Sequence, residues 1–152
     1  MILSKTTGYG VKALAYLAGK DDSMVCGLQE IADTQGIPPI YLRKILGELR
    51  RHRLLRSIKG VHGGYALSRK AETITVWEVN QILAPDPYFD GCILGFGPCR
   101  PSNICCSHEK WQQIRREYLE LMETTTIAEI AESLKERNRL EGSNEIEIYG
   151  NA

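Results

Sequence analysis

Four of the five cysteines in this chain of 152 residues fall in one stretch of fifteen, CILGFGPCRPSNICC, as Cys92, Cys99, Cys105 and Cys106, and His108 follows closely. Structural cysteines would be spaced along the apolar face of a helix or strand; these sit among glycines and prolines instead. As thiolates they are soft donors, suited to iron–sulfur clusters or zinc rather than to hard cations. The gaps of six and five residues between the first three exceed the short knuckles of most zinc sites. A wider glycine-containing loop suits a larger inorganic centre such as an iron–sulfur cluster. Zinc, a reversible thiol switch and no site at all stay open on this chemistry alone. Disulfides fit poorly, because the cysteine count is odd and the chain reads as cytoplasmic, where thiols stay reduced. That reading rests on the first residues, where Lys12 interrupts the apolar stretch and no A-x-A cleavage pattern occurs. No apolar run approaches the roughly 18 residues of a membrane span.

The loop needs elements to hold it, and those on its N-terminal side are basic. Met1 to Asn80 contains twelve Lys/Arg against seven Asp/Glu, and Gln81 to Ala152 contains seven against twelve, although the net charge is zero. Seven of the cations lie between Arg43 and Lys59, with Glu48 the one acid among them. Such asymmetry points to a polyanionic partner for the first half.

The local patterns there spell out an order. Val11, Leu14, Ala15 and Ala18 mark a first helix, capped by Ser4 and ended by Gly19. LQEIADTQ, from Leu28 to Gln35, makes a short second helix that Gly36 stops. Pro39 suits the first turn of a third helix, in which Leu42, Ile45, Leu46 and Leu49 form an apolar stripe and Tyr41, Arg43, Lys44, Gly47 and Arg51 the opposite face. Alternation then replaces helical spacing: Leu55 to Ile58 and Tyr65 to Ser68 read as a hairpin with Lys59 to Gly64 at its tip. A tight helix turn, a cationic helix and a glycine-tipped hairpin form a winged helix-turn-helix for double-stranded DNA. Tyr41, Arg43 and Lys44 are the candidate groove contacts, Arg43 having the geometry to pair with guanine O6 and N7. Arg50, Arg51, Arg53 and Lys59 are candidate phosphate contacts, with His62 and Gly63 at the wing tip.

On the acidic side, Thr75 and Glu78 form a capping box before Val76, Val79, Ile82 and Leu83. No periodicity survives between Ala84 and Ser107. After His108, Trp111, Ile114, Tyr118 and Leu121 recur at spacings of three, four and three, flanked by Met122. That seam, charged on its other face, suits pairing with a second copy, as twofold DNA sites require. Thr126 and Glu129 cap a last helix. The expected fold is mainly α with a small β-hairpin. It comprises a winged helix-turn-helix domain (1–83), a cysteine-rich loop (84–107), a dimerisation helix with a packing helix (108–137) and a polar tail (138–152). No Ser/His/Asp set, Gly-rich phosphate loop or paired catalytic carboxylates stands out, so neither catalysis nor a small-molecule substrate is expected. An electron carrier or metal store would explain the cysteines but leave the cationic helix and wing without a task.

Over nearly its whole length the chain resembles the IscR/NsrR-type iron–sulfur winged-helix transcriptional regulators. The resemblance is carried by LSKTTGYGVKALAYLA, by LQEIADTQGIPPIYLRKILGELRRHRLLRSIKGVHGGYALSR, by ITVWEVNQIL, by the cysteine loop and by TTTIAEI. It implies a homodimeric regulator, acting as a repressor, whose DNA binding answers to an iron–sulfur cluster sensing redox, iron or nitric oxide status. Three loop cysteines hold the cluster in that family and correspond to Cys92, Cys99 and Cys105. Cys105 is preferred to Cys106 because a histidine, His108, stands three residues after it. KTTGYGVK in the first helix offers no carboxylate or imidazole, which directs the fourth ligand position to His108, with Cys106 as the alternative. The implied cofactor is [2Fe–2S] in preference to [4Fe–4S]. A cluster-free thiol-switch regulator is the alternative.

Overall fold

The computed structural model describes residues 3–21, 24–61, 63–85, 92–97, 99, 102 and 104–141. Helix α1 (Lys5–Ala18) opens where the Ser4 hydroxyl accepts a hydrogen bond from the Thr7 amide at 3.0 Å. Its run from Ala13 to Leu17 is buried throughout, and α1 touches most of the other elements. Helix α2 (Leu28–Gln35) ends at Gly36, whose φ of +61° turns the chain into α3 (Pro39–Arg51). Leu42, Ile45, Leu46 and Leu49 are all buried, so the leucine-rich stripe faces inward and the cationic face stays in water.

Strands β1 (Leu55–Ile58) and β2 (Gly64–Leu67) pair antiparallel, with Leu55 opposite Leu67 and Ile58 opposite Gly64. A further pairing that the sequence patterns do not show anchors this wing. Cys26 donates its amide to the Tyr65 carbonyl at 3.0 Å and accepts from the Tyr65 amide at 2.8 Å. Beside it the backbone approaches so closely that a Cβ on Gly64 would stand 2.3 Å from the Cys26 carbonyl oxygen.

A 3-10 turn (Ala71–Thr73) leads to α4 (Val76–Leu83), which Thr75 caps by accepting from the Glu78 amide at 3.2 Å. Helix α4 seats against α1 at Gly10, where a Cβ would lie 2.2 Å from Leu83 Cδ1. Next to that contact the Thr7 hydroxyl donates to Asn80 Oδ1 at 3.0 Å, both residues being buried. Helix α5 (His108–Thr124) packs on α4, and α6 (Ile127–Glu141) returns to α1. The starts of α4 and α6 are tied together, Val76 N donating to Thr125 O at 3.0 Å and Ile127 N to Ile74 O at 2.9 Å.

Helix α6 runs four residues beyond the boundary expected at 137, and Asn138 is buried. Asn138 follows the buried Leu134 by one helical turn, so the inward stripe continues through a polar residue that hydropathy alone assigns to a tail. The rest of that tail, 142–152, lies outside the described residues. Among the described residues no helix is long and apolar enough to cross a membrane.

Candidate nucleic-acid interface and cysteine centre

Burial of the leucine stripe leaves Tyr41, Arg43, Lys44, Arg50 and Arg51 exposed along one side of α3, together with Ile40. Arg50 donates to Ser57 Oγ on β1 at 3.2 Å, which leans it towards the wing. Arg51 pairs with Glu48 at 3.0 Å across one exposed turn, a contact of little energetic weight. Arg53 holds a φ of +61° where α3 gives way to β1, one of the rarer conformations for a residue with a side chain. Lys59 is exposed at the wing, and Gly60 turns there with a φ of +123°. Gly63 meets an internal demand, because a Cβ would come within 2.3 Å of the Ile58 carbonyl oxygen. His62 lies outside the described residues. Val61, which sequence reasoning passed over, is 98% exposed beside that tip. The available signal was an apolar residue standing in an otherwise polar, glycine-rich turn.

In the loop, Cys92, Cys99 and Cys105 are half-buried and Cys106 is exposed; all four are free thiols. The Cys99 thiol is held above its ordinary value, first by loss of hydration and then by the neighbouring sulfurs of Cys92 and Cys105. The Cys92 thiol is held below its ordinary value, first by the backbone N–H of Phe96 and then by that of Leu94, with partial burial working the other way. Gly95 and Gly97, at φ of +74° and +87°, let the backbone curl these donors around the sulfur. Cys106 turns instead towards its neighbour, its Sγ 4.0 Å from Ser107 Oγ. His108 starts α5 and donates its amide to the Cys105 carbonyl at 3.1 Å. Its imidazole Nδ1 is buried and has no hydrogen-bond partner among the described residues.

The donor set fits an iron–sulfur centre: three half-buried thiols in one loop, backbone N–H groups directed at one of them, and, three residues after Cys105, an imidazole nitrogen with no partner among the described residues. Among the described residues no three His, Cys, Asp or Glu side chains gather tightly enough for a single metal ion.

On α5, Ile114 and Leu121 are 55% and 61% exposed, while Trp111 and Tyr118 are half-buried. Met122 departs from the expected interface. It is 3% exposed within the single chain and has almost no surface left to offer a second copy. One residue beyond Leu121, the helical rotation of about 100° carries it onto the face that packs inside the protomer.

Comparison with known proteins bears on both regions. The family profile for Rrf2, described as an iron-dependent transcriptional regulator, matches residues 3–133. The HTH-type transcriptional regulator IscR of Klebsiella pneumoniae (strain 342) is 30% identical over 131 residues, covering 86% of this chain and 79% of that protein. CymR, the global cysteine regulator of B. subtilis, superposes with a TM-score of 0.74 at 25% identity, over 86% of this chain and 96% of that one. IscR of T. potens superposes with a TM-score of 0.69 at 25% identity, over 89% of each chain.

Proposed function

The chain belongs to the Rrf2 family of transcriptional regulators, and from that premise we propose that it is a cytoplasmic homodimeric repressor whose operator binding is set by an iron–sulfur cluster. Membership makes it a regulator and not an enzyme. The cluster reading is carried by one observation: three half-buried thiols, Cys92, Cys99 and Cys105, share one loop with His108, which is held to Cys105 through the backbone and keeps a buried Nδ1 with no hydrogen-bond partner among the described residues. Cys92, Cys99, Cys105 and His108 would hold the centre, and a set of three thiolates and one imidazole favours [2Fe–2S] over [4Fe–4S]. When bound, it supplies a redox-active centre open to oxidation, nitrosylation or loss.

The chain's own residues supply the coupling. Cys92 follows α4 and His108 begins α5, so ligation by both draws the two ends of the loop together. Helix α4 packs on α1, α3 and α5, with Thr7–Asn80 and the Gly10–Leu83 contact fixing it to α1. The direction of α5 is thereby referred to α3. If two copies pair along α5, that direction sets whether their α3 helices match major grooves about 34 Å apart. A difference of a few kcal/mol between the two arrangements is enough to switch occupancy.

Anaerobic purification followed by an absorption spectrum and iron and acid-labile sulfide assays tests this reading. Iron and sulfide are expected in the wild type and in Cys106→Ala, and are expected to be absent from Cys92→Ala, Cys99→Ala and Cys105→Ala. Colourless protein that takes up neither on reconstitution overturns it. A second reading, a cluster-free thiol switch, draws on the exposed Cys106 beside Cys105 and on the fold shared with CymR. It requires iron-free protein whose operator binding responds to peroxide.

A further inference from the structure

Gly47 is the ninth of thirteen residues in α3 and has a helical backbone, outside the positive-φ region. A Cβ built on it meets nothing within 4 Å among the described residues, whereas those built on Gly10 and Gly64 would collide with α4 and with the Cys26 backbone. Glycine weakens a helix interior relative to alanine, and here neither the turn of the backbone nor packing within the chain asks for it. The position lies opposite the buried Leu42, Ile45, Leu46 and Leu49, at the middle of the exposed face. Residues three and four positions away share a helix face, and around Gly47 those four are Arg43, Lys44, Arg50 and Arg51. A gap without a side chain therefore shares its helix face with four cations, of which Arg50 also reaches Ser57 and Arg51 is paired with Glu48 in an exposed contact.

We infer that Gly47 is the floor of a phosphate seat, where the sugar–phosphate strand of a bound duplex rests against the α3 backbone among those cations. The missing side chain lets the anion come closer to the helix axis, and each ion-pair attraction strengthens as the distance shortens. A methyl group there lifts the strand away from all four cations at once. The seat rests on the reading that α3 meets DNA, and it adds a position that carries neither charge nor a hydrogen-bonding side chain.

The test uses full-length wild type, Gly47→Ala and Gly47→Leu, with duplexes that the wild type selects from a random-sequence pool as probe, titrated over a range of salt. Gly47→Ala should raise Tm by about 3 °C, because helix propensity improves, yet weaken binding about tenfold. Gly47→Leu should bind more weakly still. The slope of log affinity against log salt should fall by about one for each phosphate that the cations no longer neutralise. Unchanged affinity in both variants overturns the seat and leaves DNA recognition standing. Weaker binding at an unchanged salt slope overturns phosphate as the occupant. A lowered Tm in Gly47→Ala reveals an internal role and overturns it as well. A wild type that selects no duplex removes DNA recognition and the seat together.

Discussion

Arg43 stands exposed in the first half of α3, the part of a recognition helix that meets base edges. Arg43→Ala is expected to cost about 1–3 kcal/mol of operator affinity and to relax preference at one base pair. Competition binding with single-base operator variants checks this. Cys26 shows the opposite use of a chemically capable residue. Burial, reinforced by Glu30, pushes its thiol from an ordinary 9.0 up to about 11. The folded chain keeps that proton where the unfolded chain gives it up. Its contribution is therefore complete below pH 9 and fades as the pH rises from 9 towards 11. Urea midpoints of wild type and Cys26→Ala should accordingly differ most below pH 9 and converge above it. A constant difference across that window would mean that the thiol does not stay neutral in the fold. Sequence composition showed that five cysteines exist, but not that Cys26 is buried at a strand pairing while Cys92, Cys99 and Cys105 are half-buried. That division depends on how segments distant in sequence come together.

The helix–helix joint between α1 and α4 hangs on a buried polar pair. Thr7 donates to Asn80, and Ser4 Oγ lies 2.9 Å from Thr7 Oγ1. Thr7→Val keeps the shape and deletes the donor, leaving the Asn80 carbonyl buried without it. That should destabilise the chain by about 1–3 kcal/mol; Thr7→Ser should recover most of that stability in urea unfolding. At this scale the sequence was most legible. The caps at Ser4, Thr75 and Thr126, the turn at Gly36 and the wing strands are local signals, and the structure places each where its signal falls, except that β2 starts and ends one residue earlier than Tyr65 to Ser68. What stayed hidden was non-local. The Cys26–Tyr65 and Thr75–Thr126 bridges join segments with no shared periodicity, and Asn138 closes a buried stripe with a polar side chain. Of the candidate site, the donor residues were visible as residue types. The preference for Cys105 over Cys106 came from a family pattern, and no local signal in the sequence separates the two adjacent cysteines.

For the molecule as a whole, α5 is the least enclosed helix: of its seventeen residues only Met122 is buried. Ile114 and Leu121 lie two turns apart on one side, with Tyr118 between them, and both are more than half exposed. Burying such side chains against a second copy contributes about 1.5–3 kcal/mol each, and twofold symmetry counts every residue twice. Aspartate at both positions should therefore dissociate the pair and leave the protomer folded, since neither side chain supports the internal core. The expected result for Ile114→Asp combined with Leu121→Asp is a monomer by sedimentation with unchanged helical circular dichroism. Operator affinity should fall steeply, because two α3 helices no longer bind as one unit. Met122→Asp is the internal control. At 3% exposure it should unfold the chain rather than separate two copies. If the double variant sediments as the wild type does, the pairing surface lies elsewhere and α5 cannot be the element through which the cysteine loop aims the two α3 helices.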